Sequence, residues 1–296
     1  MSERVAVAAQ YLLPKQALTS LAGALARHAG GALTASVIRW FVDRYGVNMA
    51  EAADADTTAY ASFNDFFTRA LKPGARPLAQ ADLVCPVDGA ISQLGAIQGE
   101  QIFQAKGHHY STTALLGGDK ALAAHFHGGQ FATIYLSPKD YHRIHMPCAG
   151  RLLRMVHVPG ALFSVNPATA RGVTGLFARN ERVVCVFEGT AGANRGQPWV
   201  LVLVGATIVG SMATVWHGVV NPPRPGTLRE WAYQEEDIQL AQGAEMGRFL
   251  LGSTVVLLFP RRDGRSVAFN PAWAPGGAVR MGEVMGQMMG SFGAPA

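Results

Sequence analysis

Residues 199–216, WVLVLVGATIVGSMATVW, form an uncharged run just long enough to cross a bilayer as a helix. How this run is read decides the fold. It is rich in Val, Ile and Thr, is broken by Gly205 and Gly210, and lacks a basic flank. Short apolar runs interrupted by glycine belong to sheet cores, so two adjacent buried strands meeting near Gly205-Ala206 are predicted instead. The same pattern of short strands between Gly, Pro, Asn and Asp punctuation extends in both directions, at Ala132–Leu136, Val183–Phe187 and Val255–Phe259.

Upstream the period changes. Leu18, Leu21, Ala22 and Leu25 recur at helical spacing after Pro14, and Leu33, Val37 and Phe41 do so beyond Gly30-Gly31. Lys15, Arg27, Arg39 and Arg44 surround them, with Tyr11, Trp40 and Tyr45. Such helices either lie in the headgroup region of a bilayer or cap the core, since both need this periodicity. Ser62-Phe63-Asn64-Asp65 reads as a capping box opening a helix that runs through Phe66, Phe67 and Leu71 toward Lys72-Pro73-Gly74. The Gly- and Met-rich tail from Gly282 is expected to be loosely held. The fold class is therefore α+β: a helical region over 1–60, then a mostly antiparallel β domain with interlocked sheets over 61–296.

Of 296 residues 49% are hydrophobic and 15% charged, which fits a packed core and excludes a disordered chain. The net charge of +5 favours anionic partners. With no aromatic RNA-binding motif and no zinc-finger spacing, a membrane surface is favoured over nucleic acid. Cys85, Cys148 and Cys185 are widely spaced and odd in number, and read as reduced thiols. No signal peptide is evident after Ser2-Glu3-Arg4.

The chemistry concentrates in three places. Gly252-Ser253 interrupts the apolar run Phe249–Phe259. A strand glycine can simply make room for a neighbouring backbone. The same pair is also what a self-cleaving bond needs, an unhindered carbonyl followed by a hydroxyl that can attack it. Asp88 lies in Pro86-Val87-Asp88-Gly89, where Asp-Gly also suits a hairpin tip. His142 and His145 form an H-x-x-H pair, but no Cys or Glu ligand motif accompanies them, so no metal is assigned. Serine, histidine and aspartate together supply a nucleophile, its base and the base's orienting carboxylate. A hydrolase would set its serine on a strand-to-helix elbow, whereas Ser253-Thr254 leads into a β-branched strand.

The stretches FFTRALKPGARP (66–77), PVDG (86–89), YLSPKDYHRIHMP (135–147), GALFSVNP (160–167), NER (180–182), VGA (204–206) and LGST (251–254) together resemble the bacterial phosphatidylserine decarboxylases. Members of that family are pyruvoyl-dependent, self-processing proenzymes. The resemblance implies that Asp88, His145 and Ser253 are the self-processing triad. It also implies cleavage between Gly252 and Ser253 into chains 1–252 and 253–296, with Ser253 converted to a covalent pyruvoyl group. That group forms a Schiff base with phosphatidylserine and acts as an electron sink while carbon dioxide leaves. His142 is implied in the decarboxylation step, and Ser164 and Asn166 are candidates for contact with the headgroup phosphate. The resemblance further implies peripheral attachment to the cytoplasmic side of the cell membrane, two product chains held as a heterodimer, and further dimerisation. Three other readings are a pyruvoyl decarboxylase of a soluble amino acid, a Ser-His-Asp hydrolase, and a carrier module of the biotinyl/lipoyl type. The last lacks an evident modification lysine in a hairpin.

Overall fold

The computed structural model describes residues 10–11, 13–207, 211–250, 254–262 and 264–290. Two helices, α1 (Lys15–Arg27) and α2 (Ala32–Tyr45), lead the chain, and α2 ends on the left-handed Gly46. Their apolar stripe faces outward. Leu21, Leu25, Leu33 and Trp40 are 60%, 66%, 72% and 59% exposed, while the smaller Thr19, Ala26, Thr34 and Ala35 are buried together with Ile38. Only Phe41 at its end turns inward, onto Phe66 and Phe67, so most of the stripe covers no part of the core. No helix among the described residues is long and apolar enough to cross a membrane.

The capping box forms as expected, with Asp65 N–H donating to Ser62 Oγ at 3.2 Å and Ser62 N–H to Asp65 Oδ2 at 3.1 Å. The helix it opens, α3 (Phe63–Phe67), is about a turn shorter than the sequence predicts. Beyond Thr68 the backbone finds better partners. Ala53 N–H donates to Ala70 O and Lys72 N–H to Glu51 O, each at 2.9 Å, so the chain pairs with the segment that follows α2. Phe66 and Phe67 then pack with Ile38, Phe41, Val42 and Val47 in an aromatic cluster of their own.

The rest is antiparallel β structure. The large sheet runs, from one edge to the other, through Arg229–Ala232, Gly150–Val158, Arg182–Gly189, Pro198–Val204, Thr254–Phe259, Gln130–Tyr135, Gly89–Ala96 and Ala278–Val279. The four strands at its centre are apolar runs that the sequence singles out. Alternate residues feed two cores. Val255, Leu257 and Phe259 face one with Leu203 and Ile134, while Val256 and Leu258 face the other with Val202 and Phe131. A four-stranded sheet orders Gly218–Asn221, Met212–Thr214, Glu245–Phe249 and Arg143–His145, and a three-stranded one orders Leu83–Val84, Val284–Met289 and Ser266–Phe269.

Two expectations change here. Residues 199–216 do hold two strands, but these lie in different sheets: Pro198–Val204 pairs with Arg182–Gly189 and Thr254–Phe259, whereas Met212–Thr214 pairs with Glu245–Phe249. Backbone partners in two sheets, not each other, satisfy the run. Residues 282–290 of the tail are also better held than their composition suggests, because Val284–Met289 is the middle strand of the small sheet and Gly282 N–H donates to Cys85 O at 2.9 Å; residues 291–296 lie outside the described residues. Cys85, Cys148 and Cys185 are buried free thiols whose acidity burial suppresses.

Candidate active site

Sheet geometry explains why Asp88 and the histidines meet. Asp88-Gly89 is not a hairpin tip but the entry to the strand Gly89–Ala96. A side chain at Gly89 would overlap the carbonyl oxygen of Tyr135, so the close approach of two strands requires glycine here. Tyr135 in turn pairs with Thr254, the residue bonded to Ser253. Two strand spacings, about 10 Å, therefore separate the Asp88 strand from the Thr254 strand. His145 N–H donates to Pro86 O at 2.9 Å, which brings the histidine strand to the same place.

Gly252 and Ser253 lie outside the described residues. The chain around them is informative nonetheless. Glu245–Phe249 pairs with Arg143–His145, with Glu245 opposite His145, and Phe249 N–H donates to His142 O at 3.1 Å. Thr254–Phe259 belongs to the large sheet. Residues 251–253 thus join a strand of the histidine sheet to the central strand of the large one.

His145 Nδ1 lies 2.8 Å from Gly243 O and Nε2 lies 3.0 Å from the Tyr141 hydroxyl. A carbonyl can only accept, so Nδ1 carries the proton and Nε2 accepts from Tyr141. Gly243 presents that carbonyl from a left-handed backbone, φ +77°. Burial, the largest influence, pulls the His145 pKa below the ordinary histidine value. The Gly243 contact and the charges of Glu245 and Asp88 push the other way, and Arg143 adds to the lowering. The imidazole is accordingly neutral at pH 7, with its lone pair on Nε2.

His142 is fully buried against the Phe67 ring, centroid to centroid 4.0 Å. Its Nδ1 donates to Asp140 O at 2.8 Å, and Nε2 has no hydrogen-bond partner among the described residues. Burial pushes its pKa down to about 3, against the Asp140 contact and with a smaller contribution from Arg69 in the same direction. The two histidines therefore have separate environments. Among the described residues no group of three or more His, Cys, Asp or Glu side chains is arranged to hold a metal.

The Asp88 carboxylate does not bond to the His145 imidazole. It takes Arg76 Nε at 2.9 and 3.1 Å, Arg76 Nη2 at 2.5 Å and the Met281 amide at 2.9 Å. Sequence reasoning did not single out Arg76, Tyr141 or Gly243 for these roles. Arg76 and Tyr141 stood inside the matched stretches, but nothing in a linear pattern pairs them with Asp88 and His145.

Ser164 and Asn166 serve the backbone. Asn166 Oδ1 accepts from Thr169 N at 2.9 Å, capping the short helix Pro167–Gly172, and Ser164 Oγ accepts from Asn166 N at 3.5 Å, while the Ser164 amide donates to Gln10 Oε1 at 2.9 Å. Their neighbours Val165 and Pro167 line a cleft of about 320 Å³, together with Ala90, Lys106, Tyr135 and Arg171. Tyr135 ties this cleft to Thr254. Tyr11 packs on Phe163 at 4.9 Å, so the start of the helical region touches the same loop.

A family model described as phosphatidylserine decarboxylase matches residues 63–287, and a second, described as PSD, matches residues 5–46. The chain is 69% identical over 288 residues to the phosphatidylserine decarboxylase proenzyme of Azoarcus sp. (strain BH72), covering 97% of each protein. It is 70% identical over 288 residues to that of Variovorax paradoxus (strain S110), covering 97% of this chain and 99% of the relative. With the proenzyme of Dechloromonas aromatica (strain RCB) it shares 68% identity over 286 residues, 97% of this chain and 99% of the relative. Matched by a family model over most of its length and by close relatives over nearly all of it, the chain belongs to the phosphatidylserine decarboxylase family.

Proposed function

We propose that this chain cuts itself between Gly252 and Ser253 and, so matured, converts phosphatidylserine to phosphatidylethanolamine and carbon dioxide. The observation that carries the reading is the sheet junction. Residues 251–253 join the strand opposite His145 to the strand whose first residue pairs with Tyr135, beside Asp88-Gly89. The strand that leads into that stretch lies against His145, a neutral, buried imidazole base.

In self-cleavage His145 acts through Nε2. Tyr141 either cedes that lone pair to the Ser253 hydroxyl or passes the proton along. The Ser253 oxygen attacks the Gly252 carbonyl carbon, the peptide nitrogen leaves, and an ester links the two halves. Loss of the Ser253 α-proton expels the Gly252 carboxylate. The dehydroalanine left at 253 hydrolyses to a pyruvoyl group, releasing ammonia. Gly243 O holds the imidazole in its working tautomer, and the Asp88 charge favours the imidazolium that forms. The buried Nε2 of His142 and Oγ1 of Thr254, which have no hydrogen-bond partner among the described residues, suit a small carbonyl group formed from Ser253.

A pyruvoyl ketone supplies an electron sink for the bond that releases carbon dioxide. The protein residues supply the rest. His142 enters neutral, and an arriving substrate carboxylate raises its proton affinity, so Nε2 takes a proton that it delivers to the carbon from which carbon dioxide departs. The cleft beside Tyr135 takes the headgroup, with Lys106 and Arg171 contributing positive charge near its phosphate. The outward apolar stripe of α1 and α2 lies on the headgroup region of the cytoplasmic leaflet, and through the Tyr11–Phe163 contact sits beside the loop that walls the cleft.

Intact mass under denaturing conditions tests this reading. Wild-type protein is expected as two chains, the smaller starting with a pyruvoyl group and no free amine, and Ser253→Ala as one uncleaved, inactive chain. A full-length wild-type protein that decarboxylates its lipid would contradict it.

A further inference from the structure

The Arg76 side chain is only 6% exposed and grips two carboxylates from distant parts of the chain. Beside its three contacts with Asp88, its Nη2 donates to Glu51 Oε2 at 2.7 Å and its Nη1 to Ala75 O at 2.7 Å. Glu51 closes the 3-10 turn Met49–Glu51, which follows α2, and its other oxygen faces Arg280 at 3.4 Å. These bonds hold Asp88 in place, while Gly243 holds His145. Asp88 therefore acts on His145 through its charge and through the Pro86–His145 backbone contact, and whatever fixes that charge fixes its effect.

We propose that Arg76 is a positioning residue for self-cleavage, clamping the Asp88 carboxylate beside the His145 strand and tying it through Glu51 to the end of the helical region. This inference rests on the assignment of Asp88, His145 and Ser253 to self-processing. A charged, two-pronged guanidinium fits the task, because it binds both oxygens of a carboxylate in one plane. Its charge also offsets part of the field that Asp88 exerts on the imidazole. The charged and titratable groups facing His145 are Asp88, Glu245, Arg143 and Tyr141. Those around Asp88 are Arg76, with Glu51 and Arg280 behind it, and Arg69 and Cys85.

The test follows conversion of freshly synthesised full-length precursor to two chains, between pH 5 and pH 8, in Arg76→Gln, Arg76→Lys, Glu51→Gln and Asp88→Asn. His145 must be neutral to take the Ser253 proton, so cleavage falls on the acid side as the imidazole is protonated. In Arg76→Gln the Asp88 carboxylate loses its bonded counter-ion, and its stronger field retains the imidazole proton to higher pH. The acid limb is expected to move upward, with cleavage about 10- to 100-fold slower above it because the carboxylate is no longer fixed. Arg76→Lys keeps the charge and loses the fork, so it should slow cleavage with the limb in its wild-type place. Glu51→Gln should slow cleavage less than Arg76→Gln.

An Arg76→Gln precursor that cleaves at the wild-type rate, or more slowly with an unmoved limb, overturns the proposal while arrest of Asp88→Asn leaves the triad standing. Wild-type cleavage in Asp88→Asn removes the triad itself. If Arg76→Gln elutes as aggregate on gel filtration, the other two Arg76 and Glu51 variants decide. Wild-type rates in both overturn the proposal.

Discussion

At the scale of single residues, two histidines three apart are set to different tasks by what surrounds them. His145 keeps a hydroxyl on Nε2 and a carbonyl on Nδ1, and the charges of Glu245 and Asp88 moderate the lowering that burial causes, to which Arg143 adds. His142 has a carbonyl on Nδ1, a phenyl ring over its face and, among the described residues, no partner for Nε2. A buried polar atom without a partner costs about 1–3 kcal/mol, which a fold tolerates where a reactant later supplies the partner. This contrast predicts separable defects. His142→Ala should still yield the two chains, because its side chain touches Phe67 and the Asp140 carbonyl and not the Asp88–Arg76 group. Its decarboxylation rate should fall about 100-fold or more, the usual contribution of a positioned proton carrier. Mass spectrometry of the denatured protein reads the first effect and release of labelled carbon dioxide the second. An uncleaved His142→Ala, or a cleaved one of near-normal rate, would assign the histidine differently.

At the scale of elements, the sheet is built so that glycine stands where strands approach too closely for any side chain. A methyl group at position 89 would run into the Tyr135 carbonyl oxygen, a backbone atom that cannot swing away. Gly89→Ala must therefore push apart the strands Gly89–Ala96 and Gln130–Tyr135, at a cost of about 1–3 kcal/mol. A thermal midpoint lower by several degrees and slower self-cleavage are expected, whereas an unchanged midpoint with normal cleavage would show that this approach is not tight. The four central strands were legible in the sequence because each is a β-branched run bounded by punctuation, and so was the start of α3, because its capping box is local. The end of α3 was not, since Ala70 and Lys72 pair with residues some twenty positions away. Nor was the sheet change within 199–216, where composition is uniform and only remote partners differ. For the site, Asp88, His142 and His145 could be singled out by residue type and by resemblance. The Arg76 clamp and the Gly243 carbonyl could not, because a guanidinium in a loop and a backbone oxygen carry no linear sign of what they will meet.

At the scale of the whole molecule, the β body and the helical region are joined more closely than a linear division suggests. The strand Thr254–Phe259, entirely buried, is hydrogen-bonded on both edges to strands that precede position 252, so the segment after 252 completes both cores. Five of its side chains, Val255 through Phe259, contribute roughly 10 kcal/mol of burial, taken at about 1.5–3 kcal/mol each. Helix α2 likewise lends Ile38, Phe41 and Val42 to the cluster whose Phe67 covers His142. Removing the first fifty residues would take away the side chains packed behind Phe67 as well as the outward stripe, so a deletion cannot isolate the role of the stripe. Substituting only its exposed members can. Leu21, Leu25, Leu33 and Trp40 point away from the body, and Lys15, Arg27, Arg39 and Arg44 add the charge that draws such a face to anionic headgroups. Insertion of even one of these side chains into the acyl boundary is worth about 1.5–3 kcal/mol, more than a factor of ten in partitioning. Changing all four to glutamine should therefore lower sedimentation with phosphatidylserine-containing vesicles at least tenfold, while the precursor still divides at its normal rate and the protein elutes as wild type does in the absence of lipid. Unchanged sedimentation would mean that another surface carries the enzyme to its lipid. Loss of cleavage together with loss of binding would mean that the stripe acts on the fold as well as on the membrane.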